Sequence, residues 1–273
     1  MKKVTHTISF YGAGNMAQAI IAGLISSRFY KKEEIYVYNH RYEPTLQKLE
    51  EEYGIQPILN EKDLFEKSDL VILAVKPAVL TQILPQVKKY LREEHVLVSL
   101  AAGISIKQIT DLTGPHKIIR AMPNTPAMVN QAMSSISPNN LTTKEEVQLV
   151  LEVFNKFGKA KVVSEQLIDA VVGVSGSAPA YVYLFIEALA DGAVAQGLSR
   201  NDAYEFAAQA VLGAAKMVEE TGKHPAELKD MVTSPKGTTI AAVQSLEMSN
   251  FRASVIKAVE AAAQKNRQMS EEK

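Results

Sequence analysis

A glycine-rich turn follows the first apolar stretch of the chain. The segment Gly12-Ala-Gly14-Asn-Met-Ala17 comes after residues 6–11, which have the composition of a buried strand, and leads into a helix predicted over residues 16–26. Gly12 would permit a tight turn, Gly14 would let a phosphate approach the backbone, and Ala17 would keep helix and sheet close. The free N–H groups of the helix N-terminus would then bind a diphosphate. This context predicts a dinucleotide site, and the competing interpretation is a glycine turn with a purely structural role.

The end of the second predicted strand, residues 35–39, indicates which dinucleotide would bind. NAD enzymes usually place Asp or Glu here to bind the ribose hydroxyls, whereas this chain has Asn39, His40 and Arg41. A guanidinium can bind a 2′-phosphate that a carboxylate would repel. We therefore expect NADP(H), with NAD(H) as the alternative donor. Arg41 as an ordinary solvated residue remains the competing interpretation.

Three further loops follow predicted strands, at residues 74–77, 100–104 and 120–127. Ligands of parallel α/β sheets bind at the carboxyl ends of the strands, so the three loops together predict a pocket. Lys76 could contact cofactor or substrate there, or it could face solvent.

A second anion site is predicted in the helical half of the chain. Ser234-Pro-Lys-Gly-Thr-Thr239 places a Pro-Lys-Gly turn before an alanine-rich helix. Free N–H groups at such a helix start would bind an anion. The alternative is a helix that is simply well capped by its two threonines.

Composition limits the classes of protein that these motifs could serve. The chain has 273 residues, 30 basic and 30 acidic side chains and no cysteine. We expect no nucleic-acid partner, because nucleic-acid binders usually carry a basic excess. We expect no metal either, since cysteine is absent and the five histidines are scattered. Residues 170–186 are apolar, but Glu187 and Asp191 follow them on one helix face, so we expect no membrane partner. We interpret the N-terminus as a first strand and expect a cytoplasmic protein.

The pattern of elements divides the chain into two parts. Strand-like apolar runs alternate with helical patterns in the first part, which predicts an N-terminal α/β Rossmann domain with a doubly wound, mostly parallel sheet over residues 1–164. Long alanine-rich helical patterns fill the second part, which predicts an all-α domain for dimerisation and substrate binding over residues 165–273.

With these motifs together, the sequence closely resembles the pyrroline-5-carboxylate reductases, NAD(P)H-dependent oxidoreductases that reduce a cyclic C=N bond in the last step of proline biosynthesis. The resemblance covers essentially the whole chain. The segments that carry it are Gly12-Ala-Gly-Asn-Met-Ala17, Ala74-Val-Lys-Pro77, Met122-Pro-Asn-Thr-Pro126, Ser175-Gly-Ser-Ala-Pro-Ala-Tyr181, and His224-Pro-Ala-Glu-Leu-Lys-Asp230 with Ser234-Pro-Lys-Gly-Thr-Thr239. It implies a homodimer or a ring of dimers whose long helices interlock.

The resemblance also implies a set of site residues. The cofactor would contact Tyr11, Gly12, Ala13, Gly14, Asn15, Met16, Asn39, Arg41, Asn60, Ala74, Val75, Lys76, Pro77, Leu100, Ala101 and Ala102. The substrate, pyrroline-5-carboxylate, would bind at Ser234, Gly237, Thr238 and Thr239. Thr239 is the candidate partner of the ring nitrogen, and Lys76 is a second catalytic candidate on the nicotinamide side.

Two positions depart from the family pattern, since Ala178 and Lys236 stand where many members have glycine. Two rival functions therefore remain open. One is a related NADP-dependent reductase of another imino or oxo acid, and the other is a catalytically weak NADP-binding paralogue.

Overall fold

The computed structural model describes residues 7–271, and one eight-stranded sheet organises its first part. The strands are β1 (Ile8–Tyr11), β2 (Ile35–Tyr38), β3 (Gln56–Ile58), β4 (Leu70–Leu73), β5 (Val96–Ser99), β6 (Lys117–Met122), β7 (Ala132–Pro138) and β8 (Gly158–Val162). Their spatial order is β3-β2-β1-β4-β5-β6-β7-β8. The first six follow the order of a dinucleotide-binding sheet, with a crossover between β1 and β4. His6, predicted to begin the first strand, lies outside the described residues.

The α-helices connect these strands and then make up the second part of the described chain. They are α1 (Asn15–Ser26), α2 (Gln47–Tyr53), α3 (Glu61–Lys67), α4 (Pro77–Val87), α5 (Ile106–Thr113), α6 (Lys144–Phe154), α7 (Ile168–Val171), α8 (Ala178–Ala195), α9 (Arg200–Thr221), α10 (Pro225–Met231), α11 (Thr238–Met248) and α12 (Phe251–Glu271).

Helices cover both faces of the sheet. Every residue of β1, β4 and β5 is buried, as expected of parallel strands with helices on either side. One core contains side chains of α1 and α6, and the other contains side chains of α3, α4 and α5. The predicted doubly wound architecture is confirmed.

The far side of the sheet departs from purely parallel pairing. β7 pairs antiparallel with β6, with Arg120 opposite Ser137, and β8 then pairs parallel with β7. The sheet is therefore mostly parallel, as expected, and β7 and β8 extend it beyond β6.

The chain forms two compact units. One contains the chain up to Gly176 together with the end of α12 from Ala262, and the other is Ser177–Ala261. The boundary between the two compact units therefore lies after Gly176, later than the boundary predicted after Ser164, because residues 165–176 belong to the unit that contains the sheet. The domain boundary itself stays a prediction.

The second unit consists of helices with little buried surface. Between α8 and α9 the side chains of Ala190, Ala203 and Ala207 are buried, whereas Leu184 and Phe206 are 67% and 70% exposed. The helical stretch of residues 165–195 is long and apolar enough to cross a membrane by length and composition, and 11% of its most apolar window is buried. Exposed apolar patches of this kind are typical of surfaces that contact another protein or a membrane.

Candidate active site

The predicted cofactor residues lie at the end of strand β1 or in the segments that follow strands β1 to β5, which are parallel neighbours. Because the strands run in one direction, their carboxyl ends meet at one edge of the sheet. The structure therefore brings the predicted residues to that edge in five segments. These are Tyr11–Met16, which begin with the last residue of β1, Asn39 and Arg41 after β2, Asn60 after β3, Ala74–Pro77 after β4, and Leu100–Ala102 after β5.

Gly12 makes the turn after β1, in a conformation that requires glycine. Its φ is +106°, and a Cβ at this position would lie 2.7 Å from the carbonyl oxygen of Ala74. Its N–H donates to the carbonyl oxygen of Tyr38 at 2.8 Å, and the Ala74 N–H donates to the carbonyl oxygen of Tyr11 at 2.9 Å. These bonds hold the ends of β1, β2 and β4 close together. The close packing of the three strand ends therefore requires a glycine at position 12.

Gly14 has a different environment. It is exposed and precedes α1 as the N-cap, with φ −71° and no side-chain cap. A Cβ here would have only one neighbour within 4 Å, the Ala74 carbonyl oxygen at 4.0 Å. Packing among the described residues does not require a glycine there, so the space suits an external group. The first turn of α1 has no acidic residue, and its N–H groups suit a diphosphate.

The ends of β2 and β3 present neutral and basic side chains. Asn39 is half-buried, and its amide Nδ2 donates to the carbonyl oxygen of Arg41 at 2.9 Å. The side chain of Arg41 is exposed. Asn60 caps α3 by accepting a hydrogen bond from the Lys62 N–H at 2.9 Å. The edge thus offers a guanidinium where a 2′-phosphate would bind.

The loops after β4 and β5 are compact. Lys76 is the exposed N-cap of α4, and Pro77 is the first residue of that helix, where its missing N–H costs nothing. The Leu100 N–H donates to the Leu73 carbonyl oxygen at 3.1 Å, and Ala101 is buried. The two residues after Leu100 in this loop are alanines, which have small side chains.

A carboxylate at the start of α3 was missed by the sequence analysis. One oxygen of Glu61 accepts hydrogen bonds from the Tyr11 hydroxyl at 2.5 Å and the Tyr38 hydroxyl at 3.3 Å. Burial, together with the carboxylate of Glu61, raises the pKa of both tyrosines above their usual value. Both hydroxyls therefore stay protonated and keep donating. The partners are 50 and 23 residues apart in sequence, so no local pattern reveals them.

The predicted substrate loop lies in the second unit, before α11. The Gly237 N–H donates to the Ser234 carbonyl oxygen at 3.0 Å, and a Cβ on Gly237 would lie 2.4 Å from the Ser234 hydroxyl oxygen. Gly237 is the N-cap of α11, which begins Thr238-Thr239 and has no side-chain cap. Among the described residues no side chain caps this helix start, so the expected alternative of capping by the two threonines is not observed.

The residue before that N-cap adopts an unusual backbone conformation. Lys236 has φ +59°, in the left-handed region that favours glycine. A lysine at this position carries a backbone cost of about 1–2 kcal/mol. Thr239 is half-buried and Thr238 exposed, so Thr239 is the better enclosed of the two hydroxyls.

Metal chemistry receives no support from side-chain grouping. Within residues 7–271, no three His, Asp or Glu side chains are arranged to hold a metal ion.

Comparisons with known proteins match both parts of the chain. Residues 165–269 match the family model for pyrroline-5-carboxylate reductase dimerisation, and residues 7–103 match the model described as NADP oxidoreductase, coenzyme F420-dependent. The chain is also 47% identical over 264 residues to the pyrroline-5-carboxylate reductase of Escherichia coli, covering 96% of this chain and 98% of that protein.

The chain belongs to the pyrroline-5-carboxylate reductase family. The resemblance found in the sequence and the expected oxidoreductase class are thereby confirmed.

Solved structures of this family agree with the fold. The pyrroline-5-carboxylate reductase of Coxiella burnetii superposes with a TM-score of 0.93 at 35% identity, covering 97% of this chain and 99% of that one. The Plasmodium falciparum pyrroline carboxylate reductase, solved with NADP bound, gives 0.86 at 30% identity, covering 97% and 98%.

Proposed function

We propose that this chain is a pyrroline-5-carboxylate reductase, which reduces 1-pyrroline-5-carboxylate to L-proline with NADPH as the donor and NADH as the alternative. The observation that carries the proposal is the near-complete coverage of the Escherichia coli enzyme at 47% identity. Two features of this chain support it independently, namely the glycine turn before α1 and the uncapped start of α11.

The two helix starts would have separate roles. We assign the diphosphate to the first turn of α1, where Gly14 leaves room for it, and the 2′-phosphate to Arg41. We assign the substrate carboxylate to the loop from Ser234 through Gly237 and to the N–H groups at the start of α11, beginning at Thr238. Each assignment uses the affinity of helix N-termini for anions.

The reaction needs little acid–base chemistry from the protein. The bound nicotinamide supplies a hydride to the carbon of the C=N bond, and the imine nitrogen enters already protonated. The Thr239 hydroxyl would be the polar partner of that nitrogen. Lys76 would help to organise the nicotinamide side of the site. Positioning of the two reactants then provides most of the rate enhancement.

The dimerisation match indicates that the active form is a homo-oligomer. The exposed apolar side chains of α8 and α9 would be covered by a second copy of the chain. This contact would explain why residues 165–195 are long and apolar enough to cross a membrane although we expect no membrane partner. We infer a dimer or a ring of dimers in the cytoplasm. Sedimentation should find no active monomer at micromolar concentration, and a stable, active monomer would contradict the inference.

An assay of the purified chain tests the function. We expect NADPH absorbance to fall when pyrroline-5-carboxylate is added, and to fall more slowly with a six-membered cyclic imine or with 2-keto acids. Faster turnover of either of those would favour a related imino- or oxo-acid reductase. NADPH binding without any oxidation would favour a catalytically weak paralogue.

A further inference from the structure

Glu165 accepts two hydrogen bonds on a single carboxylate oxygen. Its Oε1 lies 2.8 Å from the backbone nitrogen of Ile106 and 3.1 Å from Nη1 of Arg120. The donors are 59 and 45 residues away in sequence. One side chain therefore joins the start of α5 to strand β6.

The Arg120 end of this link is buried. Arg120 is 5% exposed, and its Nε and Nη2 have no hydrogen-bond partner among the described residues. A buried guanidinium is costly unless it is paired, so this charge depends on the carboxylate of Glu165. The dependence works in both directions, because the buried cation also fixes the position of the carboxylate.

The Ile106 end of the link lies where a loop ends and α5 begins, a boundary that the capping box of Ser105 and Gln108 also stabilises. Ile106 is the first residue of α5, and its N–H is one of the donors that a helix leaves without an internal acceptor. The loop before it begins with Leu100–Ala102, the predicted cofactor segment, and is held at its other end by the bond from the Leu100 N–H to the Leu73 carbonyl oxygen. Both ends of this loop are therefore fixed, one by β4 and the other by Glu165.

We propose that Glu165 is a positioning residue for the cofactor: it holds the loop after β5 in its binding conformation through the start of α5, and Arg120 holds Glu165. This inference rests on the proposed NADPH-dependent function. Glu165 is not among the residues assigned to either reactant, and its bonds reach the loop after β5, so its loss should act on cofactor binding more than on substrate binding at the loop before α11.

Glu165→Gln tests the role, with Glu146→Gln as the matched control. Both glutamates pair with a cation of β6, since Glu146 binds Lys117 at 2.7 Å. Both changes remove one charge and keep one acceptor oxygen. At position 165 the neutral amide is held less strongly by Arg120, and of the two positions only this one is bonded to the start of α5. We expect the Kd for NADPH to rise roughly fivefold to thirtyfold in Glu165→Gln and to stay within about twofold in Glu146→Gln. The KM for the imine should change little in either.

Glu165→Asp separates positioning from stability. It keeps the charge beside Arg120 but shortens the side chain, so one oxygen can no longer reach both donors. We expect weaker NADPH binding with a melting temperature close to that of the parent chain. NADPH affinities of both Glu165 variants equal to that of Glu146→Gln would overturn the inference. A parent chain that does not bind NADPH would instead overturn the proposed function.

Discussion

A Cβ on Gly12 would lie 2.7 Å from the carbonyl oxygen of Ala74, while one on Gly14 would come no closer to that atom than 4.0 Å. The two glycines therefore serve different needs, although they belong to one motif. Gly12 is required by the packing of the chain itself, whereas the space beside Gly14 is open and is the place that we assign to an external ligand.

Gly12→Ala should destabilise the protein. Its φ of +106° is unfavourable for alanine, and the contact with a backbone oxygen cannot be relieved by a rotamer change. We expect a loss of about 1–3 kcal/mol in the free energy of unfolding, measured by urea denaturation. Unchanged stability would show that the turn can rearrange.

Gly14→Ala should separate binding from stability. Its φ of −71° suits alanine, and the added methyl group contacts little of the chain. We expect an unfolding free energy within about 0.5 kcal/mol of the parent, as for other surface changes, but a clearly higher Kd for NADPH in a fluorescence titration. An NADPH affinity equal to that of the parent would show that the diphosphate does not bind beside Gly14.

Arg41→Ala should change the choice of cofactor. The exposed guanidinium after β2 is the group assigned to the 2′-phosphate, which NADH lacks. We expect kcat/KM to fall more for NADPH than for NADH, with a smaller difference at high salt because ions screen exposed charges. Equal losses with both cofactors would mean that Arg41 does not recognise the phosphate.

Thr239→Val should weaken catalysis at the substrate side. The variant is nearly isosteric but lacks the hydroxyl, and a hydrogen bond to a charged group contributes about 1.5–3 kcal/mol. We expect kcat/KM for the imine to fall roughly tenfold to a hundredfold, with unchanged NADPH affinity. Thr233→Val is the control, because the Thr233 hydroxyl bonds to the carbonyl oxygen of Lys229 instead. A fully active Thr239→Val would rule out this role.

Much of the fold could be predicted because the patterns that indicate a strand or a helix lie within short segments of the sequence. Continuous apolar runs predicted β4 and β5, and alanine-rich spacing predicted α8 and α9. β3 was missed because its three residues include Pro57, and the seven residues of α3 are too few to show a clear period.

The site was predictable in part for the same reason. Glycine turns and helix starts are local patterns, so Gly12, Gly14 and Gly237 could be selected from the sequence alone. The links through Glu61 and Glu165 join residues far apart in the chain, and the positive φ of Lys236 depends on the turn that it completes. Such features arise only when the chain has folded.

Isotope transfer tests the central claim most directly. The purified chain would be given pyrroline-5-carboxylate and NADPH carrying deuterium at the transferred position of nicotinamide C4, and the product would be analysed by mass spectrometry. Direct hydride transfer to the imine carbon predicts L-proline with one deuterium on the ring carbon of the former C=N bond, and one NADP⁺ formed for each proline. Bound but unconsumed NADPH, or proline without the label, would contradict the account.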